Sequence, residues 1–147
     1  LKFISFVIMK KIFTLLFLFS AFLMADDIYI MPEQLPQNAL QFIQKYFPNV
    51  NILYAEMDKK GYEVQLSNGV EIEFLRNGEF KEIEGNYVAL PFEILPQSVA
   101  NTVGKTYPNT VITKIKRKWN FYEVKLNNMM ELYIDANGQL LGQKFDD

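Results

Sequence analysis

The chain writes one segment twice. Residues 35–84 align with residues 95–144 at a constant offset of 60 without a gap, and 15 of the 50 aligned positions are identical. Average composition would give roughly 3. Leu35-Pro36-Gln37 returns as Leu95-Pro96-Gln97, and Pro48-Asn49 as Pro108-Asn109. Tyr62-Glu63-Val64-x-Leu66 returns as Tyr122-Glu123-Val124-x-Leu126, and Asn77-Gly78 as Asn137-Gly138. The retained positions are apolar or turn-forming, so the duplicated object is a folding unit.

Each copy opens with a helical period. Leu35, Ala39, Ile43 and Phe47 recur at i, i+4 spacing in the first, and Leu95, Val99, Val103 and Tyr107 in the second. Pro36 and Pro96 stand where a first-turn proline is tolerated, while Pro48 and Pro108 stop each helix after about three turns. Beyond the prolines the period becomes two. Tyr62, Val64 and Leu66 alternate with polar residues, as do Val70, Ile72 and Phe74, and the second copy follows with Tyr122, Val124, Leu126 and Met130, Leu132, Ile134. Such alternation means antiparallel strands with one buried and one wet face. Asn68-Gly69 and Asn77-Gly78 predict two-residue hairpin turns. Asn127-Asn128 replaces the first of these pairs, so Met129 is not expected in a left-handed conformation. Flanking strands near Ile52–Asp58 and Glu79–Glu84, with counterparts at Ile112–Lys118 and Gln139–Phe145, complete four strands per unit. Gly85–Ile94 carries Tyr87, Val88, Leu90 and Phe92 and is expected to cross between units while packed. The expected fold is α+β: two helix-plus-four-strand units form one curved sheet with both helices on one face, and residues 26–147 make a single domain.

The N-terminus reads as an export signal. Lys10 and Lys11 precede the apolar run Ile12–Met24, and Ala25 precedes Asp26-Asp27. A predominantly apolar run of 13 residues is too short to span a bilayer as a helix and suits a signal core. Residues 1–25 are therefore expected to be removed, with Leu1–Ile8 lying upstream of a natural start at Met9. The absence of cysteine excludes lipid attachment and disulfides, so the fold must be held by its core. Without residues 1–25 the chain carries 12 basic and 17 acidic residues, net −5. That balance excludes a nucleic-acid binder and fits a periplasmic or secreted protein that does not associate with the membrane after signal cleavage.

Little catalytic chemistry is present. With no His and no Cys, nucleophile–base pairs, thiolate chemistry and imidazole or thiolate metal sites are excluded. Beyond the signal the serines are Ser67, in a turn, and Ser98, in a first helix turn, and neither has a plausible base beside it. Glu71 and Glu73 share a strand face that Glu63 can oppose, but carboxylates run acid–base chemistry only when burial separates their pKa values. A solvated polar face is the simpler expectation. Asp135-x-Asn137-Gly138 resembles the first positions of a calcium loop, without its later ligands, and reads better as a hairpin turn. No enzyme activity, cofactor or metal is expected.

The recurring pattern is Leu-Pro, a short helix ending in Tyr/Phe-Pro, Tyr-Glu-Val-x-Leu, an acidic strand and Asn-Gly. It resembles the PepSY-like family, which is described as similar to the tandem-repeat β-lactamase inhibitor protein. The resemblance implies an exported protein that binds or inhibits other proteins, without catalysis of its own, through the open face of its sheet. It supplies no functional residue that can be carried onto this sequence, and the inhibitor's cysteines are absent here.

Charge separates the two copies. Residues 35–84 hold 5 basic and 8 acidic side chains, residues 95–144 hold 7 and 3. Lys114, Lys116 and Lys118 share one strand face, where the first copy has Tyr54, Glu56 and Asp58. Trp119 follows in the turn, while Phe121 and Tyr133 fall on the polar face. Aromatic and cationic groups together are enriched at protein interfaces, so these six residues form the candidate partner-binding set for an envelope protein. The simpler alternative pairs the lysines with Glu123 and Glu131 across strands. A second functional reading lodges a small apolar ligand between helices and sheet, in a cavity lined by Phe42, Phe47 and Phe74 and bordered by Tyr62 and Tyr122.

Overall fold

The computed structural model describes residues 27–147, so the expected signal segment lies outside the described residues. Among the described residues nine strands form one antiparallel sheet in chain order: β1 (Ile28–Ile30), β2 (Ile52–Met57), β3 (Gly61–Leu66), β4 (Glu71–Leu75), β5 (Phe80–Glu84), β6 (Ile112–Arg117), β7 (Phe121–Leu126), β8 (Met130–Asp135) and β9 (Leu140–Phe145). Helix α1 (Gln37–Tyr46) precedes β2 and helix α2 (Gln97–Thr106) precedes β6, each led in by a 3-10 turn. Proline supplies the residue before each helix, and the chain leaves each helix through Asn49 and Asn109, whose φ values of 64° and 63° are left-handed. Asparagine tolerates that conformation better than most side chains.

Alternation along the strands sorts the two faces. Val64, Leu66, Ile72, Ile83, Ile115, Val124, Leu132 and Ile134 are fully buried and share one core with Ala39 and Ile43 of α1 and Val99 and Val103 of α2. Among the described residues no charged side chain is buried. The opposite face carries Glu, Lys and aromatic residues, and no helix among the described residues lies over it. The crossing between β5 and β6 packs as expected: Leu90 is buried and donates its N–H to Ile112 O at 2.8 Å, and Gly85 does so to Thr113 O. Tyr87 departs from this, standing almost wholly in solvent.

Three sequence expectations are corrected. The sheet has nine strands instead of eight, because Ile28–Ile30 adds an edge strand ahead of the duplicated segment, pairing Tyr29 with Glu56 and Ile30 with Ala55. Three residues are too few to show a period. The Asn-Gly turns are three-residue loops, not two-residue ones. At the first, Leu66 N–H bonds Val70 O and Gly69 N–H bonds Leu66 O, and only Gly69 has positive φ. This is a type I turn closed by a left-handed residue, which needs glycine at its third position alone. The Asp135–Gln139 turn follows the same plan: Asp135 Oδ1 accepts the N–H groups of Asn137 and Gln139 at 2.9 Å, as a hairpin turn requires. Finally, Met129 does sit in the left-handed region, at φ 67°. Its N–H bonds Leu126 O, and Asn128 Oδ1 accepts from Met130 N–H at 3.1 Å, as Asn68 Oδ1 does from Val70 N–H. Strand register holds the turn, so the side chain tolerates the strained backbone.

Candidate functional site

The uncovered face is ordered by strand register into two lines of side chains. One runs Glu56, Glu63, Glu73, Glu82, Lys116, Glu123 and Tyr133, each the direct partner of the next across consecutive strands. The other runs Gln65, Glu71, Glu84, Lys114, Lys125 and Glu131. Acidic residues therefore meet acidic ones across β2–β5, and the sign changes at the β5–β6 junction.

That junction absorbs the lysines. Lys114 Nζ lies 2.6 Å from Glu82 and 3.2 Å from Glu84, and Lys116 Nζ lies 3.8 Å from Glu82. Lys118 reaches Glu123 at 3.7 Å. Cross-strand pairing occurs, but the partners of Lys114 and Lys116 are Glu82 and Glu84, not the expected Glu123 and Glu131. Glu131 pairs with Lys144 at 4.0 Å, and Lys125 with Asp146 at 2.9 Å. Burial works against the Lys114 charge, yet hydrogen bonds from its ammonium to Glu82 and Glu84 outweigh it and hold the group above the ordinary lysine range. The Glu82 side chain is only 20% exposed, so the junction pair is partly shielded from solvent and stronger than a surface pair. Sequence reasoning missed Glu82 and Glu84 as partners. The signal lay in the matching Glu-x-Glu and Lys-x-Lys alternation of two strands that are consecutive in the sheet.

The aromatics divide. Phe121 and Tyr133 are half-buried, with ring centroids 6.2 Å apart, and burial together with Glu131 pushes the Tyr133 hydroxyl above its usual pKa. Trp119, in the β6–β7 turn, is 96% exposed. A second aromatic pair stands at the far edge, where Tyr29 and Tyr54 meet edge-to-face at 5.9 Å. It escaped the sequence reading because β1 did.

Between these regions lies the acidic stretch. Glu63 faces Glu56 on one side and Glu73 on the other, and burial followed by the charges of Glu56, Glu71 and Glu73 raises its pKa. A cleft of about 220 Å³ at this edge is lined by Glu56, Glu63 and Glu73 with Lys60 and Lys81 among others. Lys81 Nζ bonds Glu73 at 2.6 Å. Among the described residues no group of three or more acidic side chains is disposed to hold a metal ion. On the helix side, the Phe42 ring packs on Phe74 at 5.9 Å and on Phe80 at 5.2 Å. These contacts fill the space between Phe42 and the sheet, while an open groove of about 570 Å³ beside α1 is lined by Phe47 with Leu40, Ile43, Val50 and Ile52 among others.

A sheet with one face covered by two helices and paired charges along the other defines an α+β module. The family described as "Putative beta-lactamase-inhibitor-like, PepSY-like" matches residues 23–74 and 60–142, and the chain belongs to it. A solved structure from Bacteroides vulgatus, described as a "putative periplasmic protein" of the DUF2874 family, is 32% identical. The match covers 82% of this chain and 98% of that one, with a TM-score of 0.77. A Bacteroides thetaiotaomicron structure described as a "putative calcium-regulated periplasmic protein" is 33% identical over 81% of this chain and 97% of its own, TM-score 0.76. A second Bacteroides vulgatus structure, of a "putative periplasmic protein of unknown function", is 28% identical over 81% and 99%, TM-score 0.76. No curated protein matches the sequence. Periplasmic placement, expected from residues 9–25, agrees with these descriptions, and no helix among the described residues is long and apolar enough to cross a membrane.

Proposed function

We propose that this chain is a non-enzymatic protein-binding module of the periplasm, built from two duplicated units, whose uncovered sheet face receives another envelope protein. An enzyme inhibited or modulated by the contact is the partner class that the family description suggests. The observation that carries the reading is aromatic surface on the side that no helix among the described residues covers: exposed Trp119 in the turn leading into β7, and the Phe121–Tyr133 pair on β7 and β8. Large aromatics in contact with solvent beside charged groups are the usual anchors of protein interfaces. Lys114, Lys116 and Lys118 rim this region. Because each has a carboxylate within 4 Å, their steering of an acidic partner is weaker than three free charges would give. Affinity then rests on the rings.

The test is capture of a partner from envelope extract by the chain beginning at Asp26, compared with a Trp119→Ser/Phe121→Ser/Tyr133→Ser variant. Capture is expected to be lost in the variant while its melting temperature falls by only a few degrees, since Trp119 is solvent-exposed and the other two rings are half-buried. Capture unaffected by the three changes defeats the proposal. So does a partner held equally by variants of the helix side.

A further inference from the structure

Both ends of the sheet can be compared with its middle, because strands 60 residues apart occupy matching registers. At the middle, β5 pairs with β6 through Glu82↔Lys116 and Ile83↔Ile115. The position matching Lys116 is Glu56 on β2, and the one matching Ile115 is Ala55. Those are the residues to which β1 pairs, through Tyr29↔Glu56 and Ile30↔Ala55. Strand β1 therefore stands on β2 where β5 stands on β6. At the opposite end, β9 matches β5 residue for residue: Glu71↔Glu84, Ile72↔Ile83 and Glu73↔Glu82 correspond to Glu131↔Lys144, Leu132↔Gln143 and Tyr133↔Gly142. The outer edge of β5 is taken by β6, whereas β9 is the last strand of the sheet.

We propose that β1 is a cap: it closes the β2 edge against the β9 edge of a second copy, which is shaped to occupy the same place. Three features support that occupant. First, the molecule already makes this contact once, at β5–β6, so the backbone geometry of the pairing is demonstrated within the fold. Second, the charges are complementary with sign reversed. At β5–β6 the glutamates Glu82 and Glu84 meet the lysines Lys114 and Lys116. In the matching register, β9 brings Gly142 opposite Glu56 and Lys144 opposite Tyr54, which sets Lys144 diagonally beside Glu56 and over an aromatic ring. Third, the cap is lightly held. It has three residues, with Ile28 55% and Tyr29 73% exposed, against the six-residue β9 that would replace it.

Pairing of β9 with β2 of the next molecule is heterologous, leaving a free β9 at one end and a free β2 at the other, so it propagates head to tail instead of closing as a dimer. Unpaired edges of this kind are the usual route to unwanted association, and short covering strands are one way proteins block them. The inference is independent of the uncovered-face proposal, since it uses sheet edges and needs no foreign partner.

The experiment compares the chain beginning at Asp26 with one beginning at Met31, by sedimentation across a concentration series and far-ultraviolet circular dichroism. The first is expected to stay monomeric. The second is expected to keep its strand signal and form species larger than dimers as concentration rises. Since the chain has no cysteine, a Glu56→Cys/Gly142→Cys pair in the shorter chain should give disulfides between molecules, and Lys144→Glu should weaken association about tenfold by turning an attraction into a repulsion. A folded shorter chain that remains monomeric overturns the proposal, as does association without the 56–142 link. If the shorter chain unfolds, the full chain decides through Ile30→Cys/Ala55→Cys, which ties β1 to β2 at directly opposed positions. Held just below its melting temperature, the reduced form must associate and the oxidised form must not. Equal behaviour of the two forms overturns it.

Discussion

Met129→Gly is expected to stabilise the protein, although it removes a large apolar side chain. Met129 has φ 67° at the turn position where the first half of the chain has Gly69, at φ 94°. A side chain bearing Cβ costs roughly 1–2 kcal/mol in that region. Against this stand the greater freedom of glycine in the unfolded chain, about 0.5–1 kcal/mol, and the little packing that a 39% exposed side chain gives up. The turn's hydrogen bonds use backbone atoms and Asn128 Oδ1, so they survive the change. The balance favours the variant by about 0.5 kcal/mol, or some 2–3 °C in melting temperature for a domain of this size. Met129→Asn, which tolerates the conformation without glycine's entropy, should gain as well. The reverse change is Gly69→Ala. A Cβ there would meet only Tyr87 Cδ2 at 3.5 Å, an ordinary contact, so its cost of roughly 1 kcal/mol comes from the backbone alone. Urea and thermal unfolding of the four proteins decide the matter. A destabilised Met129→Gly beside a neutral Gly69→Ala would refute the argument from backbone strain.

Glu63→Gln should raise the melting temperature at pH 7, because it removes a charge that burial and the adjacent glutamates Glu56, Glu71 and Glu73 disfavour. The sign follows from linkage: the folded pKa lies above the unfolded one, so the stability Glu63 gains by protonation is complete below the unfolded carboxylate pKa and is lost as pH rises through the folded value. The variant's advantage must therefore shrink as pH falls through the folded value and be gone below about 4, and an advantage that persists there refutes the charge explanation. Lys114→Met should cost about 1–2 kcal/mol in urea unfolding by leaving Glu82 shielded and short of its closest cation, whereas Lys144→Met, whose partner Glu131 is 4.0 Å away, should change stability less. Val64→Ala and Val124→Ala each truncate a fully buried residue and should each cost about 1–3 kcal/mol; residues 35–84 expressed alone should lack cooperative unfolding by calorimetry, since β5 would lose the β6 edge that covers it.

What could be read in the sequence was whatever recurs with a period. Val64, Leu66 and Ile72 and their counterparts sixty residues on alternate cleanly, and every one of them is buried. The helices were equally legible, because Pro36 and Pro48, and again Pro96 and Pro108, bracket an i, i+4 apolar run. Strand β1 was not legible: Ile28-Tyr29-Ile30 is too short for a pattern, and its place is set by the edge of β2. The Met129 turn misled for a related reason. Local preference argued against a left-handed methionine, but the register of β7 on β8 leaves a three-residue loop that needs one.

The candidate site was legible in its residues and not in its pairing. Lys114, Lys116 and Lys118 share a face as their spacing dictates, yet which acids they meet depends on which strand lies alongside. The covered face of the duplicated segment stays apolar in both halves, whereas the uncovered face has diverged to opposite charge. Had the halves kept the same residues, Glu82 would face a glutamate at position 116 and Glu84 a tyrosine at position 114, the first pair repelling as Glu73 already does with Glu63 and Glu82. Divergence to lysine turns that repulsion into the attraction that joins β5 to β6, and it consumes the lysines in doing so. The charge contrast between the halves is thus explained first by how they join, which leaves Trp119, Phe121 and Tyr133, unaccounted for by any such pairing, as the residues whose replacement tests the binding face.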